Sequence, residues 1–130
     1  MKALLPPGWP RPKGYSNGIS ARGRAIFTAG VVGWNEKEEF AASDLVGQFR
    51  QVLLNIIAIL AEDGAGPEHV VRMTCYVTSR DDYVAGLAGI GTAWRETMGR
   101  NFPAMAVVEV SALVEPAAKV EIEAIAMVPD

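Results

Sequence analysis

The chain has 130 residues and a mass of 13.9 kDa, room for one domain and too little for a second. Half of the residues are apolar and 21% are charged, the composition of a globular chain and not of a disordered one. A formal charge of −3 argues against a surface devoted to nucleic-acid phosphates, and one cysteine and one histidine exclude a disulfide framework, a multi-thiolate zinc site and any mechanism that takes two imidazoles from one chain. No stretch reaches the ~20 apolar residues of a membrane span, and MKALLPPGWP lacks the apolar run of a signal peptide. The expectation is a soluble protein of a reducing compartment, the cytoplasm.

Residues 1–14 carry Pro6, Pro7, Pro10 and Pro12 and are expected as an extended arm, because proline removes backbone donors. A short strand over 14–19, a turn at Ala21-Arg22-Gly23 and a strand from Ala25 to Val32 read as a hairpin. Residues 41–63 predict a helix: Leu45, Phe49, Val52, Leu53, Ile56 and Leu60 form one apolar stripe. Ser43 or Asp44 can cap it, and Gly64 and Gly66-Pro67 stop it.

Residues 69–78 predict a strand with Val71, Met73, Cys75 and Val77 on one side and Arg72, Thr74, Tyr76 and Thr78 on the other. A second helix is expected from Asp82 to Met98. Its glycines at 86, 89 and 91 each cost roughly 1 kcal/mol against alanine, and invite the close approach of another backbone. Two alternating strands follow, with Pro116 at the turn between them. In the first, Met105, Val107, Glu109, Ser111 and Leu113 oppose Ala106, Val108, Val110 and Ala112. In the second, Val120, Ile122, Ala124 and Ala126 oppose Glu121, Glu123, Ile125 and Met127. The order ββαβαββ predicts an α+β fold, a mixed sheet with both helices on one face.

The other face then mixes Tyr76, Met105, Val107, Leu113, Ile125 and Met127 with Arg72, Glu109, Glu121 and Glu123. A solvated face would be mostly polar. Another copy of the chain covering it, with small-molecule pockets at the subunit seams, accounts for the apolar share; a monomer with an exposed apolar face is the alternative.

The ordered set Gly14-Tyr15-Ser16, Ile26-Phe27-Thr28-Ala29-Gly30, Gln48-Phe49-Arg50-Gln51-Val52-Leu53-Leu54-Asn55-Ile56, Val70-Val71-Arg72-Met73-Thr74, Phe102-Pro103-Ala104 and Val120-Glu121-Ile122-Glu123-Ala124-Ile125-Ala126 resembles the RidA family, the YjgF-like imine deaminases. The resemblance covers about 110 residues. It implies the chorismate-mutase-like fold, a barrel-like homotrimer with clefts between subunits, and hydrolysis of small enamines and imines to 2-oxo acids and ammonia without a metal or organic cofactor. It also assigns Glu121 as the catalytic carboxylate, Tyr15 as a substrate-binding phenol and Gly30 as a backbone donor. The family's carboxylate-binding arginine falls at Met105, its cleft asparagine at Ala88 and its frequent cysteine at Val107.

An arginine fork matches a carboxylate in shape and charge, and methionine offers neither. Losing such a partner in a desolvated site costs ~2–5 kcal/mol. The resemblance therefore implies altered specificity: a neutral or cationic ligand, or an anion gripped elsewhere, for example by Arg72. Met105 is a pocket wall in this reading. Cys75 is expected as a buried inert thiol, His69 as a solvated imidazole, and Glu123 as a surface or ion-paired carboxylate. Trp34 and Trp94 are expected to pack, with Trp34 also a candidate to border the cleft. The function classes are an imine or enamine hydrolase, a non-catalytic ligand- or protein-binding trimer and, ranked last, an endoribonuclease. The partners implied are other copies of the chain and a small metabolite, with no nucleic acid and no membrane.

Overall fold

The computed structural model describes all of residues 1–130. It runs through β1 (Lys2–Ala3), β2 (Ile19–Ser20), β3 (Arg24–Phe27), β4 (Val31–Val32), α1 (Leu45–Ala61), a helical turn at Pro67–His69, β5 (Val70–Val77), α2 (Arg80–Ala85), α3 (Leu87–Met98), β6 (Ala104–Glu109) and β7 (Val120–Val128). The main sheet has the order β3-β7-β5-β6, with β4 also on β7; β5 and β6 are parallel and the other pairs antiparallel. The fold class is the mixed α+β architecture expected. The last two strands are not neighbours, because β5 lies between them.

Alternation along β7 sets the layers. Val120, Ile122, Ala124 and Ala126 are all buried and face the helices, while Glu121, Glu123, Ile125 and Met127 face away. On α1 the whole apolar stripe from Leu45 to Leu60 is buried against that sheet. Asp44 caps α1 by accepting from the Gly47 N–H at 3.2 Å. Gln48, the one buried polar side chain, is fully satisfied. Its amide donates to the Ala42 and Ala117 carbonyls, and its Oε1 accepts from the Lys119 N–H at 2.7 Å. The connector entering β7 is thereby tied to the first turns of α1.

Five expectations change. The hairpin between 14–19 and 25–32 does not form: β2 pairs with β1, and β3 pairs with β7. The strand expected over 25–32 breaks at Thr28–Gly30, where four steps on this strand (Phe27 to Val31) meet three on β7 (Ile125 to Ile122). On β5 the register slips between Val70 and Arg72. Val70 is therefore buried, and Val71, expected inward, is only half-buried. The second helix is two helices broken at Gly86, with Ser79 capping the first by accepting from the Asp82 N–H. A Cβ on Gly86 or Gly89 would meet the Val46 side chain at about 3 Å, so these glycines admit a side chain of α1 and not another backbone.

The fifth change bears on the site. Met105 pairs with Met73, Val107 with Cys75 and Glu109 with Val77. Paired residues share a face, so these three point to the helix side, not to the open face. Glu109 confirms it by accepting from the Arg80 N–H that begins α2. The open face instead carries Ala104, Ala106 and Val108 from β6, with Phe27, Tyr76, Ile125 and Met127. The chain exposes 7720 Å², against the ~6,700 Å² that its mass predicts. Residues 1–11 are exposed throughout, and one sheet face has no layer over it.

Candidate functional site

Four residues carry the sequence expectation, and the fold gathers them into two pairs. Tyr15 and Met105 line one crevice of about 370 Å³ between β6, α3 and the segment before β2. Tyr15 is placed by its neighbour: the Ser16 N–H donates to the Pro103 carbonyl at 3.0 Å, the Ser16 hydroxyl donates to the Phe102 carbonyl, and Ser16 bridges Ala104. Two distant motifs, Gly14-Tyr15-Ser16 and Phe102-Pro103-Ala104, thus lie side by side at the sheet edge. Phe49, Trp94 and Phe102 complete the apolar wall, with the last two rings stacked at 6.3 Å and 8°. Trp94 also donates to the Asn101 carbonyl at 3.2 Å. Met105 is half-buried against the core.

Gly30 and Glu121 form the second pair. Gly30 sits in the break between β3 and β4, where Thr28 holds the chain to β7: its N–H donates to the Ala124 carbonyl and its Oγ1 accepts from the Ala124 N–H, both at 2.9 Å. A Cβ on Gly30 would lie 2.3 Å from Glu121 Oε2, so only glycine leaves room for this carboxylate. No hydrogen bond within the chain uses the Gly30 N–H. A free amide donor and a carboxylate therefore stand together, a combination that can hold a carbonyl oxygen and a water.

One chain does not bring the two pairs together. β6 and β7 are separated by β5, ~10 Å in the sheet plane, and Met105 and Glu121 point to opposite faces. Arg72 lies on the open face with Phe27, Thr74 and Glu123, not in the Tyr15–Met105 crevice. Trp34 packs on Phe40 at 5.9 Å and shares a shallow hollow with Gly30 and Asn55. Ala88 is exposed on α3 and does not line the crevice; Val107 does.

The remaining titratable groups sort by face. Burial pushes the Cys75 thiol up to about 12, which keeps it protonated and unreactive at neutral pH. Burial also pushes the Tyr83 phenol up to about 12. Tyr76, on the open face, is raised chiefly by the hydrogen bond from its hydroxyl to Glu123 Oε1 at 2.7 Å. His69 is not a free imidazole: its Nδ1 accepts from the Gly66 N–H at 3.0 Å. No three His, Cys, Asp or Glu side chains gather as a metal site, and no helix is long and apolar enough to cross a membrane.

Sequence reasoning passed over the polar residues of α1. The Asn55 amide donates to the Val32 and Trp34 carbonyls and accepts from Gln51, which anchors β4 and with it the loop that places Gly30. The signal was a Gln48–Gln51–Asn55 spacing inside an otherwise apolar helix.

Residues 10–128 match the protein family described as Endoribonuclease L-PSP. The chain is 38% identical over 119 residues to a RutC family protein of Pyrococcus horikoshii, covering 90% of each. It is 33% identical over 113 residues to the 2-iminobutanoate/2-iminopropanoate deaminase of Escherichia coli K12, covering 87% of this chain and 86% of that one. The crystal structure of YyfB, a Rid family protein from Yersinia pestis, superposes with a TM-score of 0.84 at 32% identity over 98% of both chains.

Proposed function

Because the chain belongs to the RidA (YjgF-like) family, we propose that it works as a homotrimer whose subunit seams join the Tyr15–Met105 crevice of one copy to the Gly30–Glu121 pair of the next, and that it hydrolyses a small imine or enamine there. The observation that carries this reading is the division of the site: each half is formed within the chain, and neither contains the parts of the other. The apolar residues on the uncovered face, with Phe27 70% exposed among them, supply a surface for the second copy.

In the proposed reaction Glu121 takes a proton from water as the oxygen adds to the imine carbon. The proton passes to nitrogen to give a carbinolamine; Glu121 then carries the proton of its hydroxyl to nitrogen, the carbon–nitrogen bond breaks, ammonia leaves and a carbonyl compound remains. The Gly30 N–H holds an oxygen of the substrate, and the Tyr15 hydroxyl orients it. No metal or organic cofactor enters. Met105 makes the wall apolar where an arginine would grip a carboxylate, so the substrate differs from the short 2-imino acids in the name of the Escherichia coli relative.

The same methionine favours a second reading, a trimer that binds its ligand without turnover. Imines generated in situ by an amino-acid oxidase separate the two, with wild type, Glu121→Ala and Met105→Arg compared for carbonyl and ammonia release. Turnover by wild type that disappears in Glu121→Ala supports the hydrolase. A wild type inert on every imine, with Met105→Arg gaining activity on carboxylated ones, leaves the scaffold but moves the native substrate elsewhere. Inertness of both favours the binder. An endoribonuclease remains the least supported reading at a charge of −3; tight RNA binding lost steeply with salt would restore it.

A further inference from the structure

The Tyr15–Met105 crevice is apolar in nine of its thirteen lining residues, and its only two charged residues, Lys13 and Arg95, are both cations. Taking that crevice as the ligand site, as proposed above, we infer that Arg95 supplies from α3 the anion grip that position 105 lacks, and that the ligand is a small carboxylate with an apolar body.

The guanidinium of Arg95 lies back along α3 over bare helix: its Nη1 stands 3.4 Å from where a Cβ on Gly91 would be. Its one hydrogen bond runs from Nη2 to Thr92 Oγ1 at 3.3 Å, which leaves most of its five donors unused. It makes no ion pair, and the adjacent Glu96 is already taken by Arg50 of α1. An unpaired guanidinium at the mouth of a cavity walled by Trp94, Phe102 and Met105 places positive charge at one end of an apolar volume. Lys13 is an exposed point charge at the end of the proline-rich arm; the arginine fork fits a carboxylate with two parallel bonds. The anion grip therefore falls to Arg95 and not to Arg72, which lies on the other face. An exposed guanidinium binds more weakly than an enclosed one, so the preference for an anion is modest and salt-sensitive.

The test uses 3-phenylpropanoate and its neutral isostere 3-phenylpropanamide, titrated into the full chain by calorimetry, with the Tyr15 and Met105 signals followed by NMR. Wild type is expected to bind the acid about 10-fold more tightly than the amide. Arg95→Gln should bring the two within about 2-fold of each other. Arg95→Lys should keep part of the preference and Lys13→Gln nearly all of it. Glutamine and arginine have similar helix propensities, so a matched thermal melt checks that Arg95→Gln is folded. Equal binding of acid and amide to wild type, or a preference that survives Arg95→Gln, overturns the role of Arg95 while the crevice stands. If neither compound moves the Tyr15 and Met105 signals, the crevice is not the ligand site and both readings fall.

Discussion

The two faces of the sheet are written with alternate letters of the same strands, and they end in opposite states. On the helix side, Ile122, Met73 and Val77 are at most 1% exposed, and α1 closes over them. On the other side, Phe27, Val108, Ile125 and Met127 surround Arg72, Tyr76, Glu121 and Glu123 with nothing above them. The first face is a finished core. The second combines apolar groups that favour contact with charged groups that must stay paired or wet. The helix face holds the fold, and the open face is free to specify what the fold joins.

The largest effect should come from cutting into the finished face. Ile122→Ala removes a fully buried side chain and is expected to cost about 2–5 kcal/mol, read from urea unfolding. An unchanged midpoint would erase the contrast between the faces. Ile125→Asp, three residues along the same strand but on the open face, should leave the far-UV spectrum unchanged while sedimentation mass drops from three chains to one. A wild type already at the mass of one 13.9 kDa chain would remove the proposed seam altogether.

A subtler break is Gly30→Ala. The new methyl needs the place of the Glu121 carboxylate, which can swing aside, so the melting curve should shift little. Imine turnover, where the wild type shows it, should fall roughly 100-fold, because small misplacements of reacting groups are that costly. The smallest effect separates two phenols. Tyr83 is raised by burial and Tyr76 chiefly by Glu123, so Glu123→Gln should return only Tyr76 toward 10.0, as read by phenolate absorbance. Stability held by Cys75 and Tyr83 is complete below their unfolded values of 9.0 and 10.0. It is lost as pH rises toward about 12, because only the unfolded chain releases those protons readily.

Where charge alternated with apolar residues, the sequence was legible. β7 showed its two faces because Glu121 and Glu123 mark one of them, and α1 showed its stripe. β6 gave a misleading mark: Ala104, Ala106 and Val108 alternate with Met105 and Val107, all apolar, and the one charge, Glu109, falls on the Met105 side, which faces the helices because Glu109 is taken up by the start of α2. The wrong side placed Met105 on the open face. Val71 misled for a related reason, since a one-residue slip in register leaves the alternation of the sequence unchanged. The resemblance supplied Tyr15, Gly30 and Glu121, which no local pattern singled out. Arg95 was invisible because its role depends on the bare surface at Gly91 and on Glu96 being occupied, both properties of the folded helix pair.

Gln48 sets a boundary on how this chain can drift. Its side chain gives two hydrogens and takes one, so glutamate would turn an oxygen toward two carbonyl oxygens and lysine would leave the Lys119 amide facing a cation. Position 105, by contrast, has no hydrogen bond to keep: Met105 is a half-buried apolar wall of the crevice. Descendants of this sequence can therefore change what they handle long before they can change how the strand bearing the acid is hung.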